Sequence, residues 1–168
     1  MEQAAFANTK PSKMAVSISI SNLILGEISL KYEYPILPFL VLTVPINFQS
    51  TNLLLLPPET AGFFRSFGFG LFPNLTGTTG IGVRLHNEGW YIEPLLELGY
   101  ARIDYSLPTG TQHLMMVNPK LLVGYYTIFT SGLHLNVGVG LAGRFFLPSK
   151  ITAPVGQPVG VLAIGYAW

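Results

Sequence analysis

The feature that most constrains this chain is a period of two. Along eight separate segments apolar residues stand at every second position, the spacing of a strand whose two faces meet different surroundings. In the first, Val16, Ile18 and Ile20 alternate with Ser17, Ser19 and Ser21. In the second, Ile28, Leu30, Tyr32 and Tyr34 alternate with Ser29, Lys31 and Glu33. The third sets Leu40, Leu42, Val44, Ile46 and Phe48 against Val41, Thr43, Pro45 and Asn47. Five later segments repeat the pattern: Thr79 to His86, Tyr91 to about Asp104, about Met116 to Ile128, Leu133 to Phe146, and Pro158 to Trp168.

Composition decides where the apolar faces go. Of 168 residues, 49% are hydrophobic and only 10% charged, with a mean hydropathy of +0.46. A soluble domain so poor in charge leaves much apolar surface in water, and a soluble calycin-like ligand barrel would need polar outer faces. Yet no stretch reaches the ~18–20 apolar residues of a membrane helix. The longest run, Ile36 to Ile46, is interrupted by Pro38, Thr43 and Pro45. A hydrophobic chain without a spanning helix satisfies its backbone in lipid by closing a sheet on itself. The expected fold is therefore all-β: an eight-stranded antiparallel up-and-down transmembrane β-barrel over residues 14–168, after a flexible N-terminal segment, 1–13.

The connections fit that scheme. Tight turns are predicted at Pro35–Pro38, Glu88-Gly89 and Thr130–Gly132, on one rim with both termini. Longer segments, 49–78, 105–115 and 147–157, fall on the other. A two-residue turn at Glu88-Gly89 places Arg84 opposite Glu93 and His86 opposite Tyr91. Alternation independently puts Arg84 and Glu93 on the inner face. Pro45, Pro94 and Pro119 cannot donate to a ladder, so bulges or local breaks are expected there.

The predicted inner wall carries Lys31, Arg84, Lys120 and Arg144 with Glu33, Glu93 and Glu97, and also His134. Cations and anions confined in a narrow lumen should pair into a salt-bridge network that plugs it. His134 is expected to hydrogen-bond to a neighbour. The glycines of the seventh segment, Gly138 and Gly140, should make room for a bulky side chain such as Tyr126.

Signals of chemistry are weak. Glu93 and Glu97 lie ~13 Å apart along one strand, too far for a glycosidase pair. His86, His113 and His134 lack metal-ligand spacing, so no metal and no cofactor is expected. A net charge of +1 excludes the basic stripe of a nucleic-acid binder. The absence of cysteine excludes a catalytic thiol. A lipid-facing serine–histidine pair would have to combine His113 with Ser106 or Ser131, without nucleophile–base spacing, and no enzyme is expected. The 49–78 segment is too apolar for an ordinary surface loop. Its Phe63, Phe64, Phe67, Leu71 and Phe72 fit strand extensions, a short helix over the barrel mouth from Pro58 to Phe72, or a contact surface for lipid, a hydrophobic ligand or a protein partner.

The end of the chain, Leu162-Ala-Ile-Gly-Tyr-Ala-Trp168, alternates and closes on an aromatic residue. Tyr32, Tyr34, Trp90, Tyr100, Tyr166 and Trp168 fall near strand ends, as aromatic girdles do. In these respects the chain resembles the small eight-stranded outer-membrane barrels, the class of the OmpA membrane domain, OmpX, OmpW and NspA, although that class usually ends in Phe. The resemblance implies a bacterial outer membrane, surrounding lipids as partners, and a barrel-assembly machinery that reads Leu162, Ile164, Tyr166 and Trp168. It also implies a mature chain, since Met1-Glu2-Gln3 has neither the basic start nor the apolar core of a signal peptide; Met1 is then an added start. Members of the class anchor, adhere or pass small hydrophobic solutes. The expected role is a structural or loop-mediated interaction protein with a plugged lumen. The alternatives are passage or binding of small hydrophobic molecules through 49–78, and a lipid-modifying enzyme.

Overall fold

The computed structural model describes residues 13–24, 27–50, 75–104, 110–147 and 157–168. They form a closed antiparallel β-barrel with the expected up-and-down order. The elements are β1 (Ala15–Ser19), α1 (Ile20–Ile24), β2 (Glu27–Leu37), β3 (Leu40–Ser50), β4 (Leu75–Asn87), β5 (Trp90–Asp104), β6 (Thr111–Ile128), β7 (Leu133–Ala142), β8 (Phe145–Leu147) and β9 (Gln157–Ala167). Sequence neighbours pair around the ring and β9 returns to β1. β7 and β8 together make one of the eight staves: both pair with β6 in a single register, Ala142 opposite Lys120 and Phe145 opposite Val117.

The Glu88-Gly89 hairpin is as predicted. Both residues have positive φ, 49° and 90°, as a tight two-residue turn matched to strand twist requires. Asn87 pairs with Trp90 and His86 with Tyr91. The other tight turns differ in detail. A register shift between Pro35 and Leu37 extends β2 and moves the first turn to Pro38–Phe39. Near the termini, Gly132 N–H donates to Phe129 C=O at 2.9 Å and Ala167 N–H to Gly132 C=O at 2.8 Å. That contact ties the C-terminus to the turn rim.

The strand prolines produce gaps without slippage. Pro45 pairs with Lys31 on one side, while on the other the β3–β4 ladder skips from Thr43↔Gly82 to Ile46↔Thr79 at unchanged offset. Pro94 behaves likewise between Gly82↔Leu95 and Leu85↔Ile92. Pro119 accounts for the break in the seventh stave. Gly143 N–H donates to Pro119 C=O at 2.8 Å, but proline has no N–H to return, and the chain leaves strand geometry at Gly143 and Arg144.

Two further departures matter below. The first predicted strand ends early, at Ser19, and Ile20–Ile24 is helical. The long segment shortens at both ends, because β3 runs to Ser50 and β4 begins at Leu75. Phe63, Phe64, Phe67, Leu71 and Phe72 lie outside the described residues, as do the first twelve residues and Ser106.

Outward positions are apolar and exposed on every stave, including Leu30, Ile46, Ile81, Leu96, Leu121, Val139 and Leu162. Tyr34, Trp90, Tyr125, Tyr166 and Trp168 point outward close to the turn rim, and Tyr100 outward near the loop rim. Inward positions are buried and mostly polar: Ser17, Ser29, Thr43, Asn47, Thr78, Arg84, Glu93, Glu97, Asn118 and His134 among them.

Candidate functional site

The site is the lumen, and it has two ends. At the turn end the tight β4–β5 hairpin sets Arg84 against Glu93, both fully buried. Arg84 Nε and Nη2 donate to Glu93 Oε2 at 3.1 and 3.0 Å, and Nη1 donates to Glu33 Oε2 at 2.9 Å. Lys31 Nζ donates to Glu93 Oε1 at 2.9 Å, and the Thr43 hydroxyl donates to the same oxygen at 2.8 Å. Two cations and two carboxylates thus form a neutral cluster spanning β2, β4 and β5. Burial of such charges is tolerable only when each finds its opposite.

Rings fill the space beside this cluster. The Arg84 guanidinium carbon lies 4.6 Å from the Tyr91 ring centroid and 5.4 Å from that of Tyr126. Tyr126 meets His86 and His134 edge-on, at 5.4 and 5.6 Å between centroids. Tyr91, not Tyr126, occupies the room left by Gly138, while Leu122 stands against Gly140. A Cβ on Gly138 would lie 2.4 Å from the Tyr91 hydroxyl, and one on Gly124 2.7 Å from it. His134 also departs from expectation. It is fully buried, yet neither ring nitrogen has a hydrogen-bond partner among the described residues; its contact is the ring of Tyr126.

Nearer mid-height a second cluster joins β5 and β6. Lys120 Nζ donates to Glu97 Oε1 at 2.6 Å and Asn118 Nδ2 to Glu97 Oε2 at 2.8 Å. Seven of the eight predicted lumen residues therefore gather into these two clusters or the adjoining ring layer. Arg144 is the exception. It faces inward but forms no ion pair among the described residues, and its buried Nε has no hydrogen-bond partner there.

Beside the second cluster the described residues leave the lumen open. A cavity of about 500 Å³ opens there, lined by Ser17, Ser29, Asn47, Thr78, Ala163 and neighbouring residues, with Leu95, Leu122, Val159 and Val161 as its aliphatic part. The inward residues around it are mostly small, which leaves this space between the staves. Phe146, placed inward by β8, packs in a buried cluster with Ala101, Leu114 and Met116, of which Met116 lines the cavity.

Sequence reasoning missed Thr43 and Asn118 as partners of the carboxylates, and the inward place of Glu27. All three lie at inward alternation positions, so the signal was present. The serine–histidine candidates do not converge. His113, exposed near the start of β6, shares a hydrogen bond with Tyr100, whereas Ser131 sits in the turn beyond the other end of β6. Comparison with protein-family models, curated proteins and solved structures yields no significant match.

Proposed function

We propose that this chain is an integral protein of a bacterial outer membrane, sealed at the turn end of its lumen and acting as a structural element or through its loop rim. One observation supports this reading above all: the polarity of the barrel is inverted. Apolar side chains are exposed on the outside of every stave, while charged and amide side chains are buried within. In water such a belt would be an aggregation surface around the whole circumference. Against hydrocarbon it is matched, and the outward aromatics at the turn rim suit the interface. On this reading the short turns face the periplasm. Outer-membrane lipids surround the belt, and the assembly machinery reads the outward Leu162, Ile164, Tyr166 and Trp168.

The test combines handling and conductance. The folded protein should need detergent and migrate differently on gels before and after heating. In planar bilayers it should carry no steady current. A protein soluble without detergent would overturn the membrane assignment, and a steady open-channel current would overturn the seal. A second reading, binding of small hydrophobic or amphiphilic molecules, is favoured by the loop-end cavity. It needs no contribution from residues 49–78.

A further inference from the structure

The barrel wall is incomplete where β1 ends. β1 covers β9 only from Ala163 to Ala167, and covers β2 only from Leu30 to Glu33. Past Ser19 the chain becomes α1, which packs against both strands where a longer β1 would have run. Gln157 to Leu162 of β9 therefore face Glu27 to Ser29 of β2 across a seam that no strand among the described residues fills. Side chains of α1 clasp it. Ser21 Oγ accepts the Leu162 N–H at 3.1 Å and donates to the Gly160 C=O at 3.2 Å, standing in for ladder bonds. Asn22 Nδ2 donates to Glu27 Oε1 at 2.8 Å on the β2 side. Backbone N–H direction alternates along a strand, so Pro158 turns its nitrogen to the seam as Leu162 does. A residue that cannot donate stands at the open edge and keeps it from laddering. Ser21, Pro158 and Gly160 all border the cavity behind.

Two ionic side chains of the cavity, Arg144 and Glu27, make no ion pair among the described residues. Lys31 and Lys120 are taken by Glu93 and Glu97, whereas Glu27 accepts only from the neutral Asn22 amide. Arg144 pairs with no carboxylate among the described residues; Glu27 and Glu97 reach it only at longer range, and its buried Nε has no partner. Opposite Arg144 in the continuous β6 register stands Asn118, whose Oδ1 is also unpartnered. Asn136, 1% exposed, lines the same cavity. The aliphatic corridor of Leu122, Val159 and Val161 adjoins the seam. An unpaired cation beside an apolar corridor that adjoins lipid is the chemistry of an anionic amphiphile. A cavity of about 500 Å³ is of ordinary ligand size.

We propose that the loop-end cavity binds a single-chain amphiphile with a carboxylate or phosphate head on Arg144, and that it arrives from the membrane through the α1 seam. The proposal rests on the membrane reading above. Its test starts from protein shown to be folded by its heat-dependent gel shift, so that failure of that reading is seen first. Native mass spectrometry of the detergent-released barrel, offered dodecanoate or dodecyl phosphate, should show one bound molecule, and the preferred probe identifies the head group. Arg144→Gln should weaken binding of both roughly tenfold or more, and Arg144→Lys should restore part of it. Binding of dodecan-1-ol should be weak and indifferent to Arg144. The chain has no cysteine, so a Ser21→Cys, Gly160→Cys pair offers a single clamp. Oxidation in vesicles should slow uptake severalfold, and reduction should restore it. No adduct on folded wild-type protein, or unchanged binding in Arg144→Gln, would overturn the site. Uptake at the wild-type rate through an oxidised clamp, its disulfide verified by mass, would overturn the route.

Discussion

At the turn end of the lumen four charged side chains cancel and bulky rings fill the remaining space. At the loop end the walls carry serine, threonine, asparagine and alanine around a cavity of about 500 Å³. Both ends are built by the same staves with the same alternation, so the difference is one of inward side-chain volume. Arg84, Tyr91, Tyr126 and His134 pack against one another, whereas Ser17, Ser29, Thr78 and Ala163 line the cavity. A barrel of fixed strand number has a nearly fixed bore. What fills the bore sets whether a given level is a seal or a chamber.

The largest effect expected from that contrast comes from Glu93→Ala. It strands Lys31 and leaves Arg84 with Glu33 alone, and removing one partner of a buried pair costs about 3–5 kcal/mol. The urea midpoint of the vesicle-embedded protein reads this directly. Glu97→Ala should cost less, because Lys120 borders the cavity and is 16% exposed. Equal losses would erase the distinction between the two ends.

Gly138→Ala comes next. The added methyl meets the Tyr91 hydroxyl at 2.4 Å, and overpacking of this kind costs roughly 1–3 kcal/mol. Removing the hydroxyl in Tyr91→Phe should recover most of the loss, a coupling that a double-mutant cycle in urea measures. Additive losses would mean that the rings at the turn end are not tightly packed. In the loop end Asn47→Ala should remove only the hydrogen bond to Thr78, worth about 1 kcal/mol. A cost as large as that of Glu93→Ala would refute a loosely filled chamber.

The smallest effect is a gain outside the lumen. Glu88 holds a φ of 49°, and Asn in that turn position should stabilise the hairpin by a few tenths to about 1 kcal/mol. A loss in Glu88→Asn, read by the same urea midpoint, would show that the Glu88 side chain contributes more than the turn's conformation.

Much of this was legible in the sequence, for reasons that particular residues make plain. Alternation is a local property, so Val16, Leu30, Ile46 and Leu162 could be assigned outward without knowing their neighbours. The two residues of the Glu88-Gly89 turn fix a register, so the Arg84–Glu93 pair was legible too. Lys31 to Glu93 was harder, since it crosses two strands, and only the requirement for charge balance hinted at it. The unpartnered nitrogens of His134 and the isolation of Arg144 were not legible. Each depends on which side chains stand across the lumen.

By itself the sequence determined the class of the fold, the number of staves, most inward and outward faces, the turn rim and all members of the charged lumen but Glu27. Periodicity, proline chemistry and short turns act over a few residues, and that is the range over which a sequence can be read. Only the tertiary structure decided that β1 stops at Ser19, that α1 spans the seam it leaves, and that the lumen is sealed at one end and hollow at the other. Those outcomes depend on side-chain volumes summed across facing strands and on hydrogen bonds between residues as distant as Ser21 and Gly160, which no local pattern contains.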